Sequence, residues 1–298
     1  MASAEAFSPT ATELQRRATI HAMNLLATAP QAGPDAGSPL VALVALSYLA
    51  VYAYRWRQCR KDPSTRSPGF QHLLAFAAGC ALMGLALGPP LDRWAEQSST
   101  MHMVQHVILL DLVPILMFAG LTKALLRPIT RRVHGVESKV GVVALPVFAV
   151  VLYVGLMYFW HFPFAYNAAL KNANVHALEH VTLLTAGLFY WWHLMSPVRI
   201  RTHLSGTGPS LYMAVTKVLV GLLGVVLAFS PRSLYDYSGT FLGMNPLVDQ
   251  HVAGLVMATE QTIVMGIAFA VVFVKMLGAS EREQQKAEQY SGTAQPRD

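Results

Sequence analysis

Seven stretches of apolar residues recur along the chain, at roughly 39–56, 70–88, 101–126, 140–160, 175–195, 209–230 and 249–277, separated by short polar connections. Each is near or above the ~20 residues a helix needs to cross a hydrocarbon core of about 30 Å. Lipid offers the backbone no hydrogen bonds, so such stretches satisfy themselves as helices. The pattern predicts an all-α, polytopic membrane protein: a seven-transmembrane-helix bundle over residues 39–278. Residues 1–38 form a proline-punctuated polar segment before it, in which Arg16 to Ala29 can lie as an amphipathic helix on the membrane surface. Residues 279–298 form a tail rich in Glu, Gln and Lys, helical at first and then disordered. Pro89-Pro90 closes the second stretch and Pro163 the fourth.

The chain is 54% hydrophobic and only 13% charged, where a soluble domain carries about a quarter charged residues. Its net charge of +6 would suit nucleic acid if it were gathered on one face, but it alternates with the spans. Arg55, Arg57, Arg60, Lys61 and Arg66 follow the first stretch, and Lys123, Arg127, Arg131, Arg132 and Lys139 the third. Arg199 and Arg201 follow the fifth; Lys275, Arg282, Lys286 and Arg297 lie at the end of the seventh or beyond it. The opposite connections hold only Arg16, Arg17, Arg93, Lys171 and Arg232. Sixteen cations against five is the positive-inside signature. It places the N-terminus outside and the C-terminus in the cytoplasm, and it reads as orientation in a lipid bilayer, with no nucleic-acid partner.

Orientation gives the polar residues a depth. Six of the eleven histidines lie at outer ends of the stretches. His102/His106 and His176/His180 are i,i+4 pairs, which share a helix face, while His161 and His251 stand singly. Imidazole is the commonest metal ligand, and four helices bring it to one layer. The expected transition-metal site comprises His102, His106, His161, His176, His180 and His251. Glu179 is a further ligand or the acceptor that orients an imidazole N–H, and Asp249 can serve His251 in the same way. Met101, Met103 and Met257 add thioethers, which select copper(I) among the metals imidazole accepts. His72, His134, His193 and His203 are scattered and read as structural. Tyr158, Trp160, Tyr166, Tyr235 and Tyr237 fall where an outer aromatic belt would lie, and Trp191 and Trp192 at the inner one.

Asp111, Lys217 and Glu260 fall near the midplane of the third, sixth and seventh stretches. Unpaired, each would cost several kcal/mol in lipid, so the simplest account is an interhelical pair of Lys217 with Asp111 or Glu260. A proton or metal relay along the stripe of Asp249, Met257 and Glu260 is the alternative. On a regular helix Asp111 points away from the face of His102 and His106.

The same residues carry a resemblance. Met101-His102-Met103-Val104-Gln105-His106 with Pro114 resembles the H-x-x-x-H opening of the bacterial CtaG family of cytochrome c oxidase assembly factors. Trp160-His161-Phe162-Pro163-Phe164-Ala165-Tyr166 is similar to that family's W-H-x-P-x-x-Y, and His176-Ala177-Leu178-Glu179-His180 to its H-x-x-E-H. Asp249-Gln250 followed by Gly254 and Met257 resembles its D-Q…G…M element. The match covers roughly 70–280, and Asp111 and Ala258 depart from the family's pattern. The resemblance implies a metallochaperone of the bacterial cytoplasmic membrane rather than an enzyme. Such a protein binds copper, in the Cu(I) state, and helps form the copper B centre of a haem–copper oxidase. Its partners would be the oxidase catalytic subunit and another copper donor. The rival readings are a copper uptake or resistance protein, a di-iron membrane enzyme, and a haem-binding carrier.

Overall fold

Helix occupies each of the seven apolar stretches. The computed structural model describes residues 37–63, 67–128, 145–198, 204–238 and 241–293, with Thr130, Gly135, Lys139 and Gly141. Nearly all of the 1–38 segment, His134, His203, Arg66, Arg131, Arg132, Arg199, Arg201 and the last five residues lie outside the described residues. Helices α1 (Gly37–Lys61), α2 (Phe70–Ala86) and the short α3 (Leu91–Ala95) lead to α4 (Ser99–Val107). A π-helical turn, Ile108–Leu112, joins α4 to α5 (Val113–Gly120), and the single turn α6 (Lys123–Leu126) follows. Then come α7 (Pro146–His161), α8 (Pro163–Lys171), α9 (Ala173–Met195), α10 (Gly208–Ala228) and α11 (Pro246–Thr293). The helix at the C-terminal end is continuous through the polar residues after Ser280.

By length and composition, three helical segments are apolar enough to cross a membrane: Ser99–Gly120, Gly208–Ala228 and Pro246–Gln285. The pair α7–α8, bent by 72°, makes a fourth if counted as one span. Their outward faces carry large apolar side chains left uncovered by protein, such as Val147 and Val151 on α7, Leu211, Val218 and Leu222 on α10, and Ile263 and Ile267 on α11. Apolar rows at three- and four-residue spacing on the outside are what lipid requires and water penalises.

Inside, α9 packs on α7 and on the π-turn, and α11 packs on both α10 and α4. Glycines set the closest crossings, as small residues do between membrane helices. A Cβ at Gly254 would stand 2.4 Å from the Ala228 nitrogen and 2.6 Å from the Gly224 oxygen. Gly254→Ala is therefore expected to push α10 and α11 apart and cost about 1–3 kcal/mol. Thermal unfolding in detergent checks this against Gly84→Ala, where a Cβ meets no atom within 4 Å. There the gain in helix propensity should leave stability unchanged or raised.

Pro114 explains the π-turn. It has no N–H for the Leu110 carbonyl that a regular helix would pair with it, and the chain widens just before it. The freed Leu110 carbonyl lies so near Gly187 of α9 that a Cβ there would come within 2.1 Å. The wider turn also re-aims Asp111. Its carboxylate, 1% exposed, accepts hydrogen bonds from the Tyr153 hydroxyl at 2.7 and 2.9 Å and from Trp191 Nε1 at 2.8 Å. Glu260 of α11 lines the same narrow cavity as Asp111.

Among the described residues Lys217 makes no close ion pair with Asp111 or Glu260, although its charge still acts on Glu260. The Lys217 ammonium occupies the space that Gly266 leaves open, 3.5 Å from where a Cβ would be. Asp111 can do without it because Tyr153 and Trp191 supply donors. Trp191 is accordingly a buried partner of Asp111, 1% exposed, and no part of an inner aromatic belt.

Candidate metal centre

The chain enters α4 from a clamp. Ser98 is the N-cap, its hydroxyl accepting from Met101 N at 3.3 Å. Asp249, from the first turn of α11, then accepts from Ser98 Oγ (2.8 Å), Ser99 N (2.7 Å), Ser99 Oγ (3.0 Å) and Thr100 N (3.2 Å). A carboxylate at a helix N-terminus satisfies donors that the helix itself leaves orphaned and complements its dipole. This is where Asp249 is engaged, rather than with His251. The clamp fixes the turn that carries His102 and, one turn on, His106.

Helix α9 starts as firmly. The Asn172 side chain caps it by accepting from Asn174 N at 2.9 Å and Val175 N at 3.3 Å. That start presents His176, Glu179 and His180 to α4 from its first and second turns. The imidazole rings of each pair lie 4.4 Å (His102–His106) and 4.2 Å (His176–His180) apart, and 5.1 Å separates His102 from His176. Between the pairs stands Glu179, with Oε2 3.4 Å from His102 Nε2 and Oε1 3.3 Å from His106 Nε2. Ligand atoms of His102, His176, Glu179 and His180 all fall within 4.8 Å of one another.

These groups are buried, apart from a partly exposed His176. Yet both nitrogens of His102 and His106, both oxygens of Glu179, and Nε2 of His176 and His180 lack a hydrogen-bond partner. The Glu179 contacts have ion-pair distances but not hydrogen-bond geometry. Buried polar atoms are normally satisfied, so a concentration of orphans on lone-pair donors is the chemistry of a cation site. Three imidazoles and a carboxylate suit zinc, copper, iron or nickel.

The other expected members are placed apart. His161 lies one step deeper, its ring 5.7 Å from His106, with Nδ1 2.6 Å from the Met157 carbonyl and Nε2 3.1 Å from Met103 Sδ. His251 turns away, its Nε2 bonding the Ser230 carbonyl at 2.8 Å. Met101 packs with the apolar side chains near Met83 and Ile108, and Met257 lines a cavity below His106.

Three tyrosines expected in the interfacial belt instead roof the cluster. Phe162, extended ahead of Pro163 (ψ 136°) as the residue before proline prefers, turns α8 back over the site. Tyr166 then stacks on His102 with ring centres 4.8 Å apart, and Tyr235 stacks on Tyr166 at 3.7 Å. The Tyr166 and Tyr237 hydroxyls meet at 3.0 Å, and Tyr237 donates to the Ala95 carbonyl. Burial holds the Tyr235 and Tyr237 phenols above their usual range, so the roof stays neutral. Trp160 is buried too, donating to Thr182 Oγ1 at 2.9 Å. The Y of W-H-x-P-x-x-Y carried the signal for Tyr166, whereas nothing in the sequence marked Tyr235 or Tyr237 as contacts of the site.

A family model for the cytochrome c oxidase caa3 assembly factor (Caa3_CtaG) matches residues 50–279, a span that contains every one of these groups. Comparison with curated proteins and with solved structures returns no match. By that family match, this chain belongs to the cytochrome c oxidase caa3 assembly factors.

Proposed function

We propose that this assembly factor is a metallochaperone, not an enzyme. In this reading it carries copper as cargo at the His102, His106, His176, Glu179 and His180 cluster. It presents the ion to the catalytic subunit of a haem–copper oxidase during formation of the copper B centre. One observation carries the reading: buried imidazole and carboxylate donors from two helices converge with their lone pairs unsatisfied. The mechanism is ligand exchange. Neutral imidazoles and the Glu179 carboxylate hold the ion, the Asp249 clamp and the Asn172 cap keep the two helices in register, and the tyrosine roof excludes water. The part-exposed edge at His176 is where an acceptor's ligands can reach.

The same reading takes the bundle as seven spans in a bacterial cytoplasmic membrane. The N-terminus faces outward and the C-terminus the cytoplasm, as the alternation of cations favours. The cluster then lies toward the outer face, and a separate copper donor would load it from there. The donor set is shared with zinc, so metal identity is part of the test. Anaerobic titration of the purified protein with Cu(I) against a competing chelator, and with Zn(II) in parallel, should show tight copper binding that is lost in His102→Ala and His180→Ala. Cells carrying either variant should assemble an oxidase with haem but deficient in copper. Copper binding untouched by both substitutions, or zinc binding alone, would sink this reading.

A further inference from the structure

His161 presents a contact that the outer cluster does not explain. A carbonyl only accepts, so the 2.6 Å contact with the Met157 oxygen places the ring proton on Nδ1. Nε2 is left with its lone pair, and it faces Met103 Sδ, itself an acceptor, at 3.1 Å. Two lone-pair donors turned on each other at this distance repel unless an electrophile sits between them. A tetrahedral ion bonded at about 2.0 Å to nitrogen and about 2.3 Å to sulfur needs them roughly 3.5 Å apart. Methionine's flexible stem supplies that few tenths of an ångström.

The surroundings point the same way. Met103 and Met257 line one narrow cavity from facing helices, with His106 at its upper side and Asp111, Glu260 and Gln261 also in its wall. His106 is 2% exposed with both nitrogens unpartnered, and Glu260 is 7% exposed with Oε1 unpartnered. A cation there would find soft donors on one side and acidic groups on the other to offset its charge in a medium of low dielectric. Thioether selects copper(I) over the divalent metals that imidazole and carboxylate accept. The chain thus separates borderline donors, above, from sulfur donors, below.

We propose a second metal station at the edge of this cavity, specific for a soft monovalent ion, Cu(I), held between His161 Nε2 and Met103 Sδ, with Met257 of the cavity wall completing the set. It rests on the reading that the cargo is copper, and it makes the protein a carrier of two ions at two depths. His106 stands between the stations, in contact with Glu179 above and lining the cavity below.

The test is Cu(I) stoichiometry on the full-length protein in detergent, with a chelator competing, joined to copper K-edge absorption. Wild type should bind two equivalents, with sulfur scattering at about 2.3 Å. Met103→Leu and Met257→Leu keep volume and apolarity; each should drop binding to one equivalent, and the double variant should lose the sulfur shell. His180→Ala should lose the outer equivalent and retain the sulfur-bound one. Methionine variants that still bind as wild type does, with nitrogen and oxygen scattering alone, overturn the inner station while leaving the outer site standing. Copper bound only in the inner, sulfur-rich mode would uphold the station and remove the outer reading. A wild-type protein that binds no copper removes both.

Discussion

Glu179→Gln is expected to remove most of the metal-induced stabilisation while the metal-free protein stays folded. Glu179 is 0% exposed, and its oxygens face only imidazole nitrogens at 3.3 and 3.4 Å, outside hydrogen-bond geometry. An ionised carboxylate buried in this way costs several kcal/mol unless something compensates it, and the proposed cation would supply that compensation. Glutamine preserves the shape and removes the charge. The metal-free variant should therefore melt at or above the wild-type temperature. Metal affinity should fall on the order of 100-fold, the upper end of what altering such a group costs. At a free metal concentration one hundred times the wild-type Kd, wild type gains about 2.7 kcal/mol and the variant about 0.4 kcal/mol. Melting curves with and without metal separate the two effects. An equal shift in both proteins would show that Glu179 serves packing and not binding.

Asp249→Ala should be the most damaging single change away from the ligands. It strands the Ser98 and Ser99 hydroxyls and the Ser99 and Thr100 amides, all buried against it. Removing one side of a buried, charge-assisted network costs about 3–5 kcal/mol. The loss should appear as a lower denaturation midpoint in mixed micelles and as weaker metal binding, since the turn carrying His102 is released. Asp249→Asn keeps the shape and one acceptor oxygen but turns an amide toward donors, so it should fall between. An alanine variant indistinguishable from wild type would mean that α4 is held by its packing alone.

Both predictions concern residues whose position was only partly legible in the sequence. The apolar stretches were legible because lipid leaves the backbone no alternative to helix. The two histidine pairs were legible because i,i+4 spacing puts both members on one face whatever else happens. What failed were inferences that needed a helix to stay regular or a loop to be traced. The sequence offers Lys217 a partner in Asp111 or Glu260, but the π-turn ahead of Pro114 sets Asp111 against Tyr153 and Trp191. His251 was grouped with the other histidines by depth, yet the chain after α10 brings the Ser230 carbonyl to it first. Tyr166 and Trp160 were read as interfacial because tyrosine and tryptophan usually are. Trp160 is interior because it faces Thr182 on α9, and Tyr166 because it follows the 72° bend at Phe162 and Pro163.

The tyrosine roof has a kinetic meaning. With Tyr166 stacked on His102 and tied through Tyr237 to Ala95, an ion held as proposed would be covered on that side and would leave past the part-exposed His176. On the proposed function, escape would proceed by attack: an incoming ligand would bond at the His176 edge before the last donor let go. Release governed in this way scales with the concentration of the acceptor rather than with affinity. Cargo held tightly in dilute solution would pass quickly to a docked client and slowly to anything else.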